Sequence, residues 1–247
     1  MERKLPSWLL TEPIAHRGLH SGDSVIPENS LAAFQNAVDS GFPIELDIKV
    51  LADGKAAAFH DSSLMRMCGV DRPVSKVSPT ELKSFNLLES TEKIPLLSEV
   101  LSLVDGKVPL LIETKNFGRP GRFEKAVMNE LNSYKGPFAI HSFNPLTLNW
   151  FANNYPAAIR GQILSKFREK EMSPFSKNFF THLYVNVFSK PDFIAYDFRN
   201  LNSPSAKKFR AKRIPILAWT IRNPEEMKSI AGLANNIIFE NFDPRHT

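Results

Sequence analysis

The chain has 247 residues, of which 43% are hydrophobic, and a net charge of +5. That length allows one α/β barrel or two smaller domains. No run of about 18 apolar residues is present, so we expect no transmembrane helix. The opening residues 1–13 make a poor secretory signal, because their apolar part is very short and includes Pro6. The lone Cys68 excludes an intrachain disulfide and fits a reducing compartment, for which the cytoplasm is the default expectation.

Part of the positive charge lies in KKFRAKR, residues 207–213. Lysines and arginines on the solvent face of a helix are the usual cause of such a run, and no aromatic platform for single-stranded nucleic acid accompanies it. We therefore expect no nucleic-acid partner. A modest basic balance also suits a protein that handles phosphates.

The first strand predicted in chain order covers residues 13–16 and ends in His16-Arg17-Gly18, where Gly18 allows a sharp turn. The sequence PENS (27–30) follows. Asn29 or Ser30 can cap the helix that comes next, and Ser40-Gly41 supplies its end.

Residues 44–61, IELDIKVLADGKAAAFHD, predict a strand hairpin. Glu45 and Asp47 have strand spacing, and Asp53-Gly54 is a strong turn signal. If the loop has two residues, Asp47 lies opposite His60, with Cβ atoms about 5 Å apart. Glu45, Asp47 and His60 would then share one face of the sheet. They would form a divalent metal site beside an acid–base group, or else part of a solvated sheet face.

Residues 61–95 are rich in turns and charge, and we interpret them as an excursion above the main fold; a short amphipathic helix follows at residues 98–106. A regular alternation then starts at residue 108. Residues 181–188 fit either a helix or a strand. The predicted strands lie at 13–16, 43–50, 108–115, 137–143, 157–164, 192–197, 213–221 and 235–240.

Eight strands alternating with helical windows predict a TIM (β/α)8 barrel, a single domain over residues 1–247, with a small insertion after strand 2 at about residues 61–95. An open doubly wound sheet is the alternative. The sequence contains neither a G-x-G-x-x-G after the first strand nor a Walker A motif, so the usual nucleotide-binding forms of that sheet have no support.

Active sites of such barrels lie at the carboxyl ends of the strands. Three carboxylates meeting there require cations, and a hard divalent ion, Mg²⁺ or Ca²⁺, suits ligation by Glu45, Asp47 and Glu113. Zinc is less favoured, because the chain has one cysteine and its histidines lack close ligand spacing. Further polar residues at predicted strand ends are His141, Ser142, Gln162 and Trp219.

His16 and His60 can serve as proton acceptor and donor. Arg17 offers a fork for phosphate oxygens, and Lys115 offers a point charge. Together these residues suggest metal-assisted attack on a phosphodiester. Taken singly, His16 also fits a structural histidine and Lys115 a balancing charge.

The sequence resembles the glycerophosphodiester phosphodiesterase family. The resemblance spans most of the chain in the family's order, and only the compound pattern is specific. The matching segments are AHRG (15–18), PENS (27–30), LAAFQNAVDSG (31–41), IELDIKVLADGKAAAFHD (44–61), IPLLSEVL (94–101), IETK (112–115), HSFNP (141–145) and AWTI (218–221).

The resemblance implies a TIM barrel with a small insertion after the second strand and a divalent metal held by the three carboxylates. It gives His16 and His60 the acid–base roles and Arg17 and Lys115 the phosphate contacts; which histidine is the acid is left open. Glu28 is a secondary site candidate, or a favourable charge at a helix N-terminus. Trp219 is an apolar wall for the substrate, or a core residue.

The activity implied is metal-dependent hydrolysis of small glycerophosphodiesters to an alcohol and glycerol 3-phosphate. The nucleophile is water or the 2-hydroxyl of the substrate glycerol, and the latter would give a cyclic phosphate. Two alternatives are a lysophospholipase D-like lipid phosphodiesterase and a catalytically silent phosphodiester-binding module. The alcohol portion, the native metal and the oligomeric state are not readable from sequence.

The C-terminal third departs from the family pattern. Arg222 follows Ile221 where a small apolar residue and Asn are usual, and Phe239 and Glu240 replace a common Thr-Asp pair. These changes leave the metal and histidine positions intact but alter the predicted pocket near strands seven and eight.

Overall fold

The structure, a computed structural model, describes residues 3–116, 118–165 and 190–246. The segment 181–188, predicted as helix or strand, lies outside these residues. The chain divides into two compact units, of which one is Ile14–Phe138 and the other combines Met1–Pro13 with Ala139–Thr247. Strands and helices are numbered below in chain order over the described residues.

The unit Ile14–Phe138 holds the N-terminal strands. Ile44–Val50 (β2) runs parallel to Ile14–Ala15 (β1) and Leu110–Thr114 (β4) and antiparallel to Ala56–Ala58 (β3). Nearly every residue of β2 and all of β4 are buried, as expected for strands of a parallel sheet covered on both faces. The strands are β1 Ile14–Ala15, β2 Ile44–Val50, β3 Ala56–Ala58 and β4 Leu110–Thr114; the helices are α2 Leu31–Asp39, α3 Met65–Cys68, α4 Pro79–Leu82, α5 Leu97–Val104 and α6 Arg122–Leu131, with a 3-10 turn at Val74–Lys76.

Helix α2 begins at Ser30, whose Oγ accepts a hydrogen bond from the backbone N–H of Ala33 at 3.0 Å. Of the two predicted capping residues, Ser30 is therefore the one that caps. The helix ends at Ser40-Gly41, as predicted. α5 closes with Asp105 and Gly106 in the left-handed region, which satisfies the predicted end near Gly106.

The hairpin register differs from the prediction by one residue. Leu51 donates its N–H to the Lys55 carbonyl at 2.9 Å, so the loop has three residues and ends in Gly54 at φ +95°. Phe59, and not His60, therefore lies opposite Asp47, and its N–H donates to the Asp47 carbonyl at 2.9 Å. The predicted direct opposition of Asp47 and His60 is wrong.

The excursion at residues 61–95 packs around a small apolar cluster that it shares with the β2–β3 hairpin. Sharing is expected, because so short a segment cannot bury a core of ordinary size. The cluster consists of Leu51, Ala57 and Phe59 from the hairpin and Leu64, Met67, Val74, Val77, Leu82, Leu87 and Ile94 from the excursion. A capping box at Ser78 and Glu81 starts α4.

In the other unit, the five strands from Phe138–Ser142 (β5) to Asn236–Phe239 (β9) pair in sequential order, and each pairing is parallel. Eight parallel strands in the two units, at the predicted positions, confirm the TIM (β/α)8 fold. These strands are β5 Phe138–Ser142, β6 Arg160–Leu164, β7 Phe193–Asp197, β8 Ile216–Ile221 and β9 Asn236–Phe239; the helices are α1 Ser7–Thr11, α7 Pro145–Asn154, α8 Pro204–Ala211 and α9 Pro224–Ser229, with 3-10 turns at Phe198–Asn200 and Pro244–His246.

The basic run at residues 207–213 begins within α8, where Lys207 and Lys208 are exposed and Phe209 is buried. The two lysine side chains thus lie on the solvent face of a helix, as predicted. Among the described residues, none of the helices combines the length and apolar character needed to cross a bilayer.

Candidate active site

The turn after β1 places Arg17 against β2. Arg17 and Gly18 have φ angles of +55° and +79°. In this conformation the Arg17 N–H donates to Glu45 Oε2 at 3.0 Å and the Gly18 N–H donates to the Glu45 carbonyl at 3.1 Å. A Cβ at position 18 would approach the Ala33 carbonyl carbon to 2.8 Å. Both the conformation and the space therefore require glycine.

The Arg17 guanidinium lies between two carboxylates. Its Nη1 donates to Glu28 Oε1 at 2.8 Å, and its Nε lies 3.1 Å from Asp47 Oδ2. Burial alone would lower the pKa of Arg17, but the charges of Asp47 and Glu28 outweigh burial and raise it. The structure thus brings together the predicted phosphate ligand Arg17, the secondary candidate Glu28 and the metal-ligand candidate Asp47.

Asn29 fixes Asp47 through two reciprocal hydrogen bonds. The Asn29 side-chain amide donates to Asp47 Oδ2 at 2.9 Å, and the Asp47 N–H donates to Asn29 Oδ1 at 3.1 Å. Asn29 itself is at φ +55°, a conformation that asparagine tolerates better than most residues. The residue that precedes the helix cap therefore serves the site and not the helix.

Lys115 bridges two carboxylates on neighbouring strands. Asp47 and Glu113 are register partners on β2 and β4. Lys115 Nζ lies 3.0 Å from Asp47 Oδ1 and 2.6 Å from Glu113 Oε1, and all three side chains are buried. Burial opposes charge on both partners, but the attraction outweighs it: the pKa of Lys115 is raised and that of Asp47 is held well below its usual range, by Lys115 first and then by Arg17.

His60 is held by its chain neighbour. Its Nδ1 lies 2.6 Å from Asp61 Oδ1, and Asp61 Oδ2 accepts from Arg66 Nε at 2.5 Å. Burial, opposed by the charge of Asp47, lowers the pKa of His60 to about 4. His60 and His16 both help to lower the pKa of Asp47, so both predicted histidines lie within electrostatic range of this carboxylate.

The donor set fits a hard divalent cation. Glu45, Asp47 and Glu113 are at most 7% exposed and offer only oxygen. Lys115 occupies one oxygen each of Asp47 and Glu113, while a carboxylate has about four acceptor positions. Arg17 contacts Asp47 and Lys115 contacts Asp47 and Glu113, so a metal ion would share these carboxylates with the two cations.

Besides Asn29, three contributors were not predicted as site residues. Asp61 follows His60 directly, and this adjacency is a sequence signal that could have identified it. Lys49 continues the alternation of Glu45 and Asp47 along β2; its Nζ donates to Ser62 Oγ at 3.1 Å, and burial, helped by the charge of Lys115, lowers its pKa to about 8. Arg66 gave no such signal, because it lies in the excursion.

The remaining candidates lie in the other unit. Trp219, on β8, is partly buried and packs edge-to-face on Phe143 with ring centroids 5.8 Å apart. Phe239 is fully buried and packs against Phe242, so it is a core residue.

Glu240 accepts from Arg222 Nε at 2.7 Å. The two unusual charges in the C-terminal third therefore neutralise each other. His141, Ser142 and Gln162 are buried, the first two at the end of β5 and the third in the middle of β6.

Residues 16–242 match the Glycerophosphoryl diester phosphodiesterase family. The chain belongs to this family, as its motifs predict.

Two relatives illustrate the similarity. A glycerophosphodiester phosphodiesterase of Bacillus altitudinis is 38% identical over 47% of this chain and 51% of its own length. An uncharacterized protein of Bacillus subtilis, YqiK, is 26% identical over 94% of this chain and 96% of its own length. The chain thus matches only about half the length of the first of them.

Among solved structures, an Oleispira antarctica phosphodiesterase in complex with the product sn-glycerol-3-phosphate superimposes with a TM-score of 0.79. It is 22% identical, and the alignment covers 94% of this chain and 93% of that one. The likeness supports the barrel fold.

Proposed function

We propose that this protein hydrolyses glycerophosphodiesters to an alcohol and glycerol 3-phosphate with the help of a divalent metal ion. The observation that carries the proposal is the cluster in which Lys115 and Arg17 both contact Asp47, within a chain of this family. The Oleispira antarctica relative holds sn-glycerol-3-phosphate, which supports a small phosphate-bearing ligand.

The cations and carboxylates have separate tasks in this proposal. Arg17 and Lys115 bind the non-bridging oxygens of the phosphodiester, for which a fork and a point charge are suited. Glu45, Asp47 and Glu113 would hold Mg²⁺ or Ca²⁺. When bound, such an ion supplies Lewis-acid polarisation of the phosphoryl group.

His16 and His60 carry the protons. One imidazole takes the proton of the attacking hydroxyl, and the other gives a proton to the departing alkoxide. Neutral His60 with its Nδ1 at Asp61 Oδ1 carries its proton there, so Nε2 is the atom free to accept. This tautomer supports His60 as the base and leaves His16 as the acid.

Substrate positioning draws on Glu28 and Trp219 in different ways. Glu28 orients Arg17 through the 2.8 Å contact and so acts on the phosphate indirectly. Trp219 is only partly buried, which supports a wall for the substrate over a purely core role. We further propose one barrel domain over residues 1–247 with the insertion at about 61–95, and a cytoplasmic location.

The test is the release of glycerol 3-phosphate from glycerophosphocholine, glycerophosphoethanolamine and glycerophosphoglycerol by chelator-treated protein, with and without added Mg²⁺ or Ca²⁺. We expect turnover of at least one diester that depends on the added ion. Lysophosphatidylcholine in liposomes forms a parallel arm, and preference for it would favour the lipid phosphodiesterase. Calorimetric binding of a diester without product would favour the silent module.

A further inference from the structure

Arg66 lies in the insertion, which is the excursion at residues 61–95, and contacts two carboxylates. Each of these carboxylates contacts a different site residue. Arg66 Nη1 and Nη2 donate to Glu28 Oε2 and Oε1 at 3.0 and 2.6 Å, and its Nε donates to Asp61 Oδ2 at 2.5 Å. Glu28 also accepts from Arg17, and Asp61 also contacts His60. One guanidinium thus contacts the carboxylate partners of both Arg17 and His60.

The planar fork of arginine suits this task. A guanidinium presents five N–H donors in a fixed geometry, so it can hold a carboxylate bidentately while its third edge serves another. Glu28 accepts from Arg66 with both oxygens, and its Oε1 also accepts from Arg17. Asp61 uses Oδ2 toward Arg66 and Oδ1 toward His60. The three hydrogen bonds therefore fix the distance between Glu28 and Asp61.

The backbone that carries Arg66 is itself anchored. Arg66 lies in the one-turn helix α3. Nearby in the chain, Leu64 and Met67 are 0% and 3% exposed and belong to the apolar cluster of the excursion. The Leu88 N–H also donates to the Met67 carbonyl at 2.5 Å. The side chain thus extends from a fixed base toward the site.

We propose that Arg66 is a positioning residue through which the insertion sets the orientation of both Arg17 and His60. The proposal rests on the proposed function of those two residues. It assigns the insertion a part in catalysis: without Arg66, Glu28 and Asp61 repel each other across the gap that the guanidinium fills.

Stability cannot account for the arrangement by itself. The Arg66 side chain is 48% exposed, and ion pairs of this exposure contribute about 0–1 kcal/mol to folding. In contrast, loss of a group that orients residues in direct contact with a ligand typically lowers activity about 10–100-fold. A positioning role therefore predicts a large loss of turnover when Arg66 is replaced, whereas a purely stabilising role predicts only a small change in the free energy of unfolding.

Arg72 provides a matched control in the same insertion. It is 35% exposed, its Nη1 donates to Glu81 at 2.7 Å and its Nη2 donates to the Lys76 carbonyl at 2.6 Å. None of these partners belongs to the site. Arg72→Gln therefore removes a comparable surface ion pair of the insertion and leaves the site contacts in place.

The experiment compares kcat and KM of Arg66→Gln, Arg66→Lys and Arg72→Gln on the best glycerophosphodiester. We expect Arg66→Gln to lower kcat/KM about 10–100-fold, with partial recovery in Arg66→Lys, and Arg72→Gln to stay within about twofold of wild type. Asp61→Asn should lower mainly kcat and Glu28→Gln should raise mainly KM, while Arg66→Gln changes both. Combined with either, Arg66→Gln should add less than its separate effect.

Equal kcat/KM in Arg66→Gln and Arg72→Gln would overturn the proposal. Binding of inorganic phosphate, measured by calorimetry on the same variants, separates it from the proposed function. If wild type binds phosphate but turns over no diester, the proposed function fails. A phosphate affinity that is lower in Arg66→Gln than in Arg72→Gln would then still support the positioning role, and equal affinities would overturn it.

Discussion

Lys115 Nζ lies 3.0 Å from Asp47 Oδ1, and both groups are almost fully buried. The same ammonium contacts Glu113 at 2.6 Å. Asp47, Lys115 and Glu113 thus form a row of alternating charges. Each charge depends on its partners, because a buried charge without a partner destabilises the folded protein.

Replacing Lys115 with Met should destabilise the metal-free protein by about 3–5 kcal/mol, because Asp47 and Glu113 lose the charge between them. Denaturant unfolding in chelator measures this. The double variant Lys115→Met/Glu113→Gln should recover part of the loss, since it removes one of the two stranded carboxylates. Unchanged stability of Lys115→Met would show that the ion pairs do not hold the site.

Gly18→Ala should destabilise the protein by about 1–3 kcal/mol and reduce turnover, because the residue is at φ +79° and the new Cβ meets Ala33 at 2.8 Å. Gly41→Ala is the control: its φ is +72° but no atom lies within 4 Å of the added Cβ. We expect a smaller loss of stability there and normal KM. Equal effects of the two substitutions would mean that the close approach to Ala33 is unimportant.

Stability should fall as pH drops from about 6.5 to about 4 because of His60. Its pKa is lowered to about 4 in the folded protein, so the unfolded chain binds more protons in this window. The charged groups facing it stay charged there: the pKa values of Asp47 and Asp61 are lowered and those of Lys115 and Arg17 are raised. Unfolding at pH 7 and pH 5 should show a flatter dependence for His60→Gln, and matching slopes would refute this assignment.

Cys68 should react slowly with thiol reagents in the native protein. Burial raises the pKa of its thiol to about 11, and the thiolate is the reactive form. At pH 8 we expect labelling about 100-fold slower than for a small thiol of pKa about 8.5. Labelling in denaturant should be fast, which serves as the control. Rapid labelling of the folded protein would place Cys68 in a more open or more cationic environment than the structure gives it.

The strand positions follow from the sequence, and so does the grouping of several candidate residues, because strand spacing fixes which side chains share a face. Glu45 and Asp47 on β2 and Glu113 before Lys115 are cases of this kind. The hairpin register does not follow, since Asp53-Gly54 is compatible with loops of two or three residues, and the difference of one residue put Phe59 opposite Asp47.

The contacts between the excursion and the site also do not follow from the sequence. Arg66 reaches Glu28, 38 positions earlier, and its direction depends on how the excursion packs on the hairpin. The sequence predicts Asn29 only as a helix cap, because its bonds to Asp47 exist only once β2 and the loop before α2 are side by side. In both cases the missing information is tertiary.

We propose that His60, next to the carboxylates and cations of this cluster, transfers a proton during cleavage of a glycerophosphodiester. Steady-state release of glycerol 3-phosphate by wild type and His60→Ala, with Mg²⁺ or Ca²⁺ present, tests it most directly. We predict turnover by wild type, a kcat about 10²–10⁴-fold lower in the variant and unchanged thermal unfolding at pH 8. Near-normal turnover by folded His60→Ala, or none by metal-replete wild type on any diester, would contradict it.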